Sequence, residues 1–221
     1  MLSDVAVIGL GQFGTQLAVS LAEAGVPVLA IDSHMDRVES VRSTVARVLC
    51  LNSTDEEALS AARIADVAVA VCAIGDDVQA SILTVALLRQ VGVPRIVARA
   101  TSQLHARILR LVGATDIVNP AQDIAMRLAA RLLQPGLVDR VPIAPGYALN
   151  EIEAPAWTAG RTIIQLDVRR AFGISILAIK RSTPAGDQVI ANPGADAAIG
   201  QGDVLVVLGD DEAIRRFLVG R

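Results

Sequence analysis

Aromatic residues are scarce in this chain of 221 residues, where Phe, Trp and Tyr together make up 2%. The sequence also has no block of Lys or Arg, and its formal net charge is −3 at pH 7. A nucleic-acid surface depends on a positive field and, for single strands, on aromatic side chains that stack on bases. The composition therefore argues against nucleic acid as a partner.

Cysteine and histidine are equally sparse, with two of each. Cys50 and Cys72 lie in apolar segments, and their spacing matches no zinc or redox motif, so we interpret both as buried small hydrophobic residues. His34 and His105 have no further metal-type ligand near them at a useful spacing. We therefore predict that the protein holds no metal ion.

Long hydrophobic runs are missing as well. The longest stretch without a charged residue, residues 5 to 22, contains three glycines and several polar side chains, which is not the pattern of a membrane span. Met1 is followed almost directly by a strand-like segment, without the basic segment and cleavage site of a secretory signal. We expect a cytoplasmic protein.

Hydrophobic residues nevertheless make up 52% of the chain, a composition rich in Val, Ile, Leu and Ala. Such a composition is typical of a buried parallel sheet flanked by helices. Up to residue 118, six short apolar segments alternate with segments of helical periodicity. This alternation predicts a Rossmann-type, doubly wound parallel sheet.

A second, smaller domain is predicted after a helix. Pro120 opens an apolar helix over 121–133, suited to a crossover or dimer contact, and Gln134, Pro135 and Gly136 end it. Turn signals then divide the rest into short segments, typical of a small α+β domain. We predict strands at 148–153, 174–180, 188–191 and 204–208, helices at 162–172 and 211–218, and domains at 1–136 and 137–221.

Three glycines follow the first predicted strand in the pattern G-x-G-x-x-G: Gly9, Gly11 and Gly14. In a strand–turn–helix setting the first allows the tight turn, the second lets the backbone approach a pyrophosphate, and the third lets the helix pack closely on the strand. The helix directs its unpaired N-terminal amides toward that anion. The motif predicts binding of an adenine nucleotide.

Asp32 ends the second predicted strand, where a carboxylate accepts hydrogen bonds from ribose hydroxyls. A carboxylate there disfavours the 2′-phosphate of NADP, although Arg37 offsets part of its charge. The alternative is a purely structural role, in which the glycines only tighten a turn and Asp32 only caps the next helix. With the ends of the third to fifth strands, the predicted nucleotide-binding residues are Gly9, Gly11, Gln12, Phe13, Gly14, Asp32, Ser33, His34, Arg37, Asn52, Ser53, Thr54, Ala73, Ile74, Gly75 and Arg99.

A dehydrogenase would also need a general acid or base beside the nicotinamide. His34 lies in the predicted ribose-side loop, and His105 lies in a later helix without an evident carboxylate partner. We therefore predict no catalytic residues, and expect ligand binding that shifts a conformational equilibrium. A small NAD-dependent oxidoreductase and a nucleotide sensor with a non-channel partner remain alternatives.

Longer segments resemble one family over essentially the whole chain. They are VIGLGQFG, LAIDSHMDRV, LNSTDEEAL, AIGDDVQASILTVALLRQ and ATDIVNPAQDIAMRLA in the first half, and TAGRTIIQLDVRRAFGISILAIKR and IGQGDVLVVLGDDEAIRRF in the second. They resemble the regulatory subunits of Trk/Ktr potassium uptake systems, which pair a nucleotide-binding RCK_N domain with an RCK_C domain. One such pair in 221 residues is similar to the shorter Ktr type.

The resemblance implies a cytosolic, non-enzymatic gating subunit. Its dimers would assemble into an octameric ring beneath a separate membrane potassium translocator, with ATP and ADP favouring different ring shapes. Asp32 would bind the ribose, 52–54 and 73–75 would contact the adenosine, and Arg99 matches a basic position near the phosphates. NAD or NADH, as in Trk-type subunits, is the alternative ligand.

Three positions bear on further ligands. Gln12 replaces an arginine often found in Ktr subunits, which leaves discrimination between ATP and ADP open. Ala121 replaces an acidic residue linked in the family to an activating cation, so we expect no such cation site. In some relatives the RCK_C domain binds cyclic di-AMP through residues that align with Arg169, Ser175 and Pro193, although Ser175 is a mismatch for an asparagine.

Overall fold

The computed structural model describes residues 4–184 and 186–220, which fold into two compact units that divide between Ala121 and Gln122. The first unit is a parallel sheet in the order β3-β2-β1-β4-β5-β6 with helices between successive strands. Its strands are β1 Val5–Ile8, β2 Val28–Asp32, β3 Arg47–Cys50, β4 Val69–Cys72, β5 Arg95–Arg99 and β6 Asp116–Val118. Its helices are α1 Gln12–Glu23, α2 Met35–Val41, α3 Glu56–Ala61, α4 Val78–Gln90 and α5 Gln103–Leu111. The predicted Rossmann-type sheet is thus confirmed.

Alternate residues of the central strands serve the cores on the two faces of this sheet. Ile8 and Ile31 belong to one buried cluster, whereas Val7 and Ala30 belong to the other. The period of two explains why these strands are apolar throughout, since both faces are covered. β1 lies between β2 and β4, so the direction in which the strands are added reverses there, and a crevice opens at the carboxyl ends of these strands.

Helix α6, Pro120–Leu133, begins at the end of the first unit and continues in the second. The predicted boundary near residue 137 therefore stays a prediction. The second unit is an antiparallel sheet in the order β10-β9-β11-β8-β7. Its elements are β7 Leu137–Ala144, β8 Tyr147–Glu153, α7 Ile163–Leu166, α8 Val168–Phe172, β9 Ser175–Thr183, β10 Gly186–Ala191, β11 Val204–Asp210 and α9 Asp211–Val219.

An aromatic cluster stabilises the core of the second unit. The rings of Trp157, Phe172 and Phe217 lie 5.2 to 5.6 Å apart between centroids, and the Trp157 indole N–H donates to the Phe217 carbonyl oxygen. Edge-to-face contacts of this kind add to the apolar area that these rings bury. The predicted α+β class of this unit is confirmed.

Three sequence predictions need correction. The helix expected over 162–172 is two helices, because Asp167 adopts a left-handed backbone with φ of 42° between them. β7 was not expected as a separate strand. Cys50 is exposed, since β3 is an edge strand of the sheet, whereas Cys72 is buried as expected.

No helix among residues 4–184 and 186–220 is both long enough and apolar enough to cross a membrane. In the same ranges, no three His, Cys, Asp or Glu side chains are grouped in a way that would hold a metal ion.

Candidate functional site

A cleft of about 430 Å³ lies at the carboxyl ends of the central strands in the first unit. It brings together segments that follow β1, β2, β3, β4 and β5, as the reversal of strand order at β1 requires. Most of the predicted nucleotide-binding residues line it: Gly9, Gly11, Gln12, Asp32, Ser33, His34, Arg37, Asn52, Ser53, Ala73, Ile74, Gly75 and Arg99. Phe13, Gly14 and Thr54 do not line it.

The three glycines of the turn differ in what surrounds them. Gly9 has a positive φ of 93°, a conformation that other residues rarely adopt. A Cβ on Gly14 would lie 1.8 Å from the Gly9 carbonyl oxygen, so helix α1 packs directly on the turn. A Cβ on Gly11 would meet no atom within 4 Å, which leaves its surroundings open for a ligand.

The N-terminus of α1 is left open toward this cleft. Gly11 is the capping residue, no side chain of the described residues caps the helix, and its first turn contains no acidic residue. Unpaired amides and the positive end of the helix dipole favour an anion at such a position. A phosphate group is the anion that this turn suits.

Asp32 is buried at the end of β2 and connects the glycine turn to the following loop. Its Oδ2 accepts a hydrogen bond of 2.7 Å from the Leu10 amide, and its Oδ1 accepts one of 2.9 Å from the His34 amide. Arg37 donates to Oδ2 at 3.4 Å. Burial alone would raise the pKa of Asp32, but the bonds from Leu10 and His34 and the charge of Arg37 hold this pKa below its usual value. Asp32 is therefore a charged acceptor in the wall of the cleft.

The side chains that follow β3 form hydrogen bonds with one another and with helix α4. The Ser53 hydroxyl lies 2.8 Å from the Thr84 hydroxyl of α4, and the Asn52 side-chain oxygen accepts bonds from the amide and hydroxyl of Thr54. Thr54 thus supports Asn52 and does not face the cleft itself. What Asn52 offers to a ligand is its side-chain NH₂ group.

Arg99 ends β5 and lies against the residues that follow β4. A Cβ on Gly75 would lie 2.7 Å from its guanidinium carbon, and that carbon lies 5.8 Å from the centre of the Phe13 ring. Phe13 therefore stands behind Arg99 and not in the lining of the cleft. Sequence reasoning named both residues but not this contact.

Six lining residues were not predicted. The start of α4 directly after the switch-point strand β4 was the signal for Asp76, Asp77 and Ala80, because this loop must face the crevice. The Asp77 carboxylate caps α4 by accepting from the Ala80 amide at 2.9 Å. The other three are the apolar residues Ile8, Ile31 and Leu51 at strand ends.

The second unit contains a pocket of about 590 Å³. Arg169, Ser175 and Pro193, the positions aligned with a cyclic di-AMP site, all line it. The Arg169 guanidinium donates to the Ser175 hydroxyl at 3.4 Å. The structure thus brings these three predicted residues together.

His105 lies in the interior of the first unit, and no carboxylate of the described residues contacts its ring. It is buried in α5, its Nδ1 lies 3.3 Å from the Thr101 amide, and its Nε2 has no hydrogen-bond partner among the described residues. Burial lowers the pKa of His105, so its ring is neutral near pH 7.

Comparison with known proteins matches both units. Residues 5–120 match the TrkA-N domain, and residues 151–218 match the TrkA-C domain. Ktr system potassium uptake protein C of Bacillus subtilis is 37% identical over 217 residues, which cover 98% of this chain and 96% of the relative. Ktr system potassium uptake protein A of Vibrio alginolyticus is 31% identical over 213 residues, covering 96% and 95% of the two chains.

The fold is similar to that of a solved RCK domain. The GsuK RCK domain superimposes with a TM-score of 0.69 at 18% identity, covering all of this chain and 48% of that longer one. At this identity the likeness is one of fold.

Proposed function

The chain belongs to the family of Ktr potassium uptake proteins, which carry a TrkA-N and a TrkA-C domain, and we propose that it is the nucleotide-binding regulatory subunit of such a system. The observation that carries the nucleotide part is the open, uncapped N-terminus of α1 behind the glycine turn, with the charged Asp32 in the wall of the same cleft. The glycine turn suits phosphates, and Asp32 beside it suits a ribose.

The proposed ligand is ATP or ADP, bound through the residues predicted from the sequence. Asp32 receives the ribose hydroxyls, and the backbone of the glycine turn receives the phosphates. NAD and NADH are the alternative, because a carboxylate at this position suits either kind of ribose. NADP is disfavoured, since its 2′-phosphate would meet the carboxylate of Asp32.

A subunit of this kind acts by binding its ligand better in one conformation than in another. The proposed partner is a separate membrane potassium translocator, reached from the cytoplasmic face of the membrane by dimers that assemble into an octameric ring. A typical coupling of about 1 to 3 kcal/mol per site, repeated around a ring, is enough to bias a gate.

The pocket of the second unit is the proposed site for a second nucleotide, cyclic di-AMP. Its volume of about 590 Å³ and the guanidinium of Arg169 in its wall support an anionic ligand of that size. Ser175 offers a shorter side chain than the asparagine of the relatives, so a weaker interaction is expected there.

An NAD-dependent oxidoreductase is the competing function. It would require a proton donor or acceptor beside a nicotinamide. In the part of the chain that the structure describes, the titratable groups of the cleft are Asp32, His34, Arg37, Asp76, Asp77 and Arg99. His34 and Arg37 are both engaged with Asp32, and Asp77 caps a helix, so the regulatory function is favoured.

Calorimetric titration of the purified full chain with ATP, ADP, NAD, NADH and cyclic di-AMP tests the proposal, with light scattering of each complex to give its mass. We expect tight binding of ATP or ADP by a ring-sized assembly. Gly11→Val should lower nucleotide affinity by at least about tenfold, because the valine side chain fills the space through which the pyrophosphate approaches.

Asp32→Ala should weaken binding as well, and Asp66→Ala is its matched control. Asp66 is an exposed carboxylate of the same unit that forms an ion pair with Arg63, so its loss should leave affinity unchanged. Normal affinity of both Gly11→Val and Asp32→Ala would refute the proposed site. Hydride transfer between NADH and a small substrate would favour the oxidoreductase instead.

A further inference from the structure

Arg99 is a half-buried cation that no carboxylate neutralises within the described residues. Two arginines line the cleft, and Arg37 is paired with Asp32. Arg99 instead lies against Gly75 and the face of the Phe13 ring, with 5.8 Å between the guanidinium carbon and the ring centre. Of these two guanidinium groups, Arg99 is the one available to an anion.

Gly75 leaves the space in which this guanidinium lies. A Cβ at position 75 would lie 2.7 Å from both Cζ and Nη1 of Arg99. Those atoms are the far end of a flexible side chain, and the backbone of Gly75 does not have a positive φ. An alanine at this position would therefore displace the guanidinium while leaving the chain fold unchanged.

The ring of Phe13, on helix α1, faces the Arg99 guanidinium. Its ring packs partly in the core between the sheet and α1, so its position is fixed by the helix. A ring held in this way limits the rotamers of an arginine that lies across it, and it attracts the cation through its π face. Helix α1 thus determines the direction in which Arg99 points.

We infer that Phe13 and Gly75 are positioning residues that hold the Arg99 guanidinium toward the second phosphate of a bound nucleotide. The inference rests on the proposed nucleotide site. Arginine suits this position because its planar group binds phosphate oxygens in pairs. Gln12 is neutral and exposed, so Arg99 supplies the positive side chain that the glycine turn lacks.

The test compares ligands that differ only in phosphate number. Binding of AMP and ADP to the full chain is measured by displacement of a fluorescent adenine nucleotide, for the wild type, Phe13→Leu and Gly75→Ala. Both variants should lose about three- to tenfold more affinity for ADP than for AMP. Phe13→Tyr, which retains the aromatic face, should bind ADP as the wild type does.

Leu17→Ala is the matched control for Phe13→Leu. Leu17 lies one turn further along α1 and packs on the same core, so its truncation lowers stability without touching Arg99. An equal loss for AMP and ADP in Phe13→Leu and in Leu17→Ala would show a purely structural role and overturn the inference. Unchanged ADP affinity of both Phe13→Leu and Gly75→Ala would overturn it too. Failure of the wild type to bind any adenine nucleotide would instead refute the proposed function.

Discussion

The three glycines of the glycine turn have different roles although they share one motif. Gly9 and Gly14 serve the fold, since one has a positive φ and the other leaves room for a carbonyl oxygen. Gly11 has no neighbour within 4 Å of a Cβ, and its proposed role is to let the ligand approach. Stability and binding are thus separable within six residues.

Gly14→Ala should destabilise the protein by at least about 2 kcal/mol, because its Cβ would overlap the Gly9 carbonyl oxygen and force α1 away from the turn. Gly11→Ala should cost less than about 1 kcal/mol, the difference between glycine and alanine as a capping residue. Urea denaturation followed by circular dichroism measures both. Equal stability of the two variants would contradict this division.

The glycine turn and Asp32 were predictable because a short local pattern carries them. The contact between Phe13 and Arg99 was not, since it joins α1 to β5, which lie far apart in the sequence, and no local pattern encodes it. Cys50 was misjudged for a related reason. Its segment is apolar, but only the order of the strands shows that β3 lies at an edge.

At the scale of elements, β9 and the turn before β11 are joined by an ion pair. Arg181 donates to both carboxylate oxygens of Asp203, at 2.8 and 2.6 Å, and the Gly200 amide donates to one of them at 2.7 Å. The bond from Arg181 holds the pKa of Asp203 below its usual value, against the opposing effect of burial. The pair links an interior strand of the sheet to a loop.

This pair gives the second unit a stability that depends on pH. The pKa of Asp203 is lower in the folded protein than in the unfolded chain. The ion pair therefore makes its full contribution to the free energy of unfolding above the ordinary carboxyl pKa of about 4, and this contribution is lost as the pH falls through the lowered pKa of the folded protein. Asp203→Asn should cost about 2 kcal/mol at pH 7 and flatten the acid limb of the stability curve. Denaturation between pH 2 and pH 7, followed by Trp157 fluorescence, measures this.

The exposed pair Arg63–Asp66 provides the control. Asp66→Asn should change stability by less than about 0.5 kcal/mol, as is usual for solvated ion pairs. A similar loss in both variants would mean that burial of Asp203 adds nothing.

The region 162–172 shows what periodicity cannot resolve. Thr162 and Gln165 form a capping box that starts α7, and Ile164, Val168 and Phe172 recur every four residues, so the apolar pattern suggests one continuous helix. The break arises at Asp167 alone, whose left-handed backbone redirects the chain into α8. Aspartate tolerates this conformation, but its presence does not demand it.

At the scale of the whole molecule, the first unit was predictable because parallel strands alternate with helices in chain order. Right-handed connections then leave few possible sheets, and the cleft at the switch point follows from the order of the strands. The second sheet was harder, because β9 lies beside β11 as well as β10, and antiparallel neighbours need not follow chain order. Its class was predictable and its topology was not.

The chain contains one tryptophan, and Trp157 lies in the aromatic cluster of the second unit, outside the unit that holds the glycine-turn cleft. Adenine nucleotides that bind in the cleft should change the emission of Trp157 if the subunit transmits their binding to its second domain. Fluorescence titration with ADP and ATP, set against the calorimetric curve, measures this. Binding seen by calorimetry without a change in Trp157 fluorescence would mean that nucleotide binding does not alter the surroundings of the aromatic cluster. Because aromatic residues are scarce, the protein has a single tryptophan, and its fluorescence reports on the second domain and not on the cleft in which the nucleotide would bind.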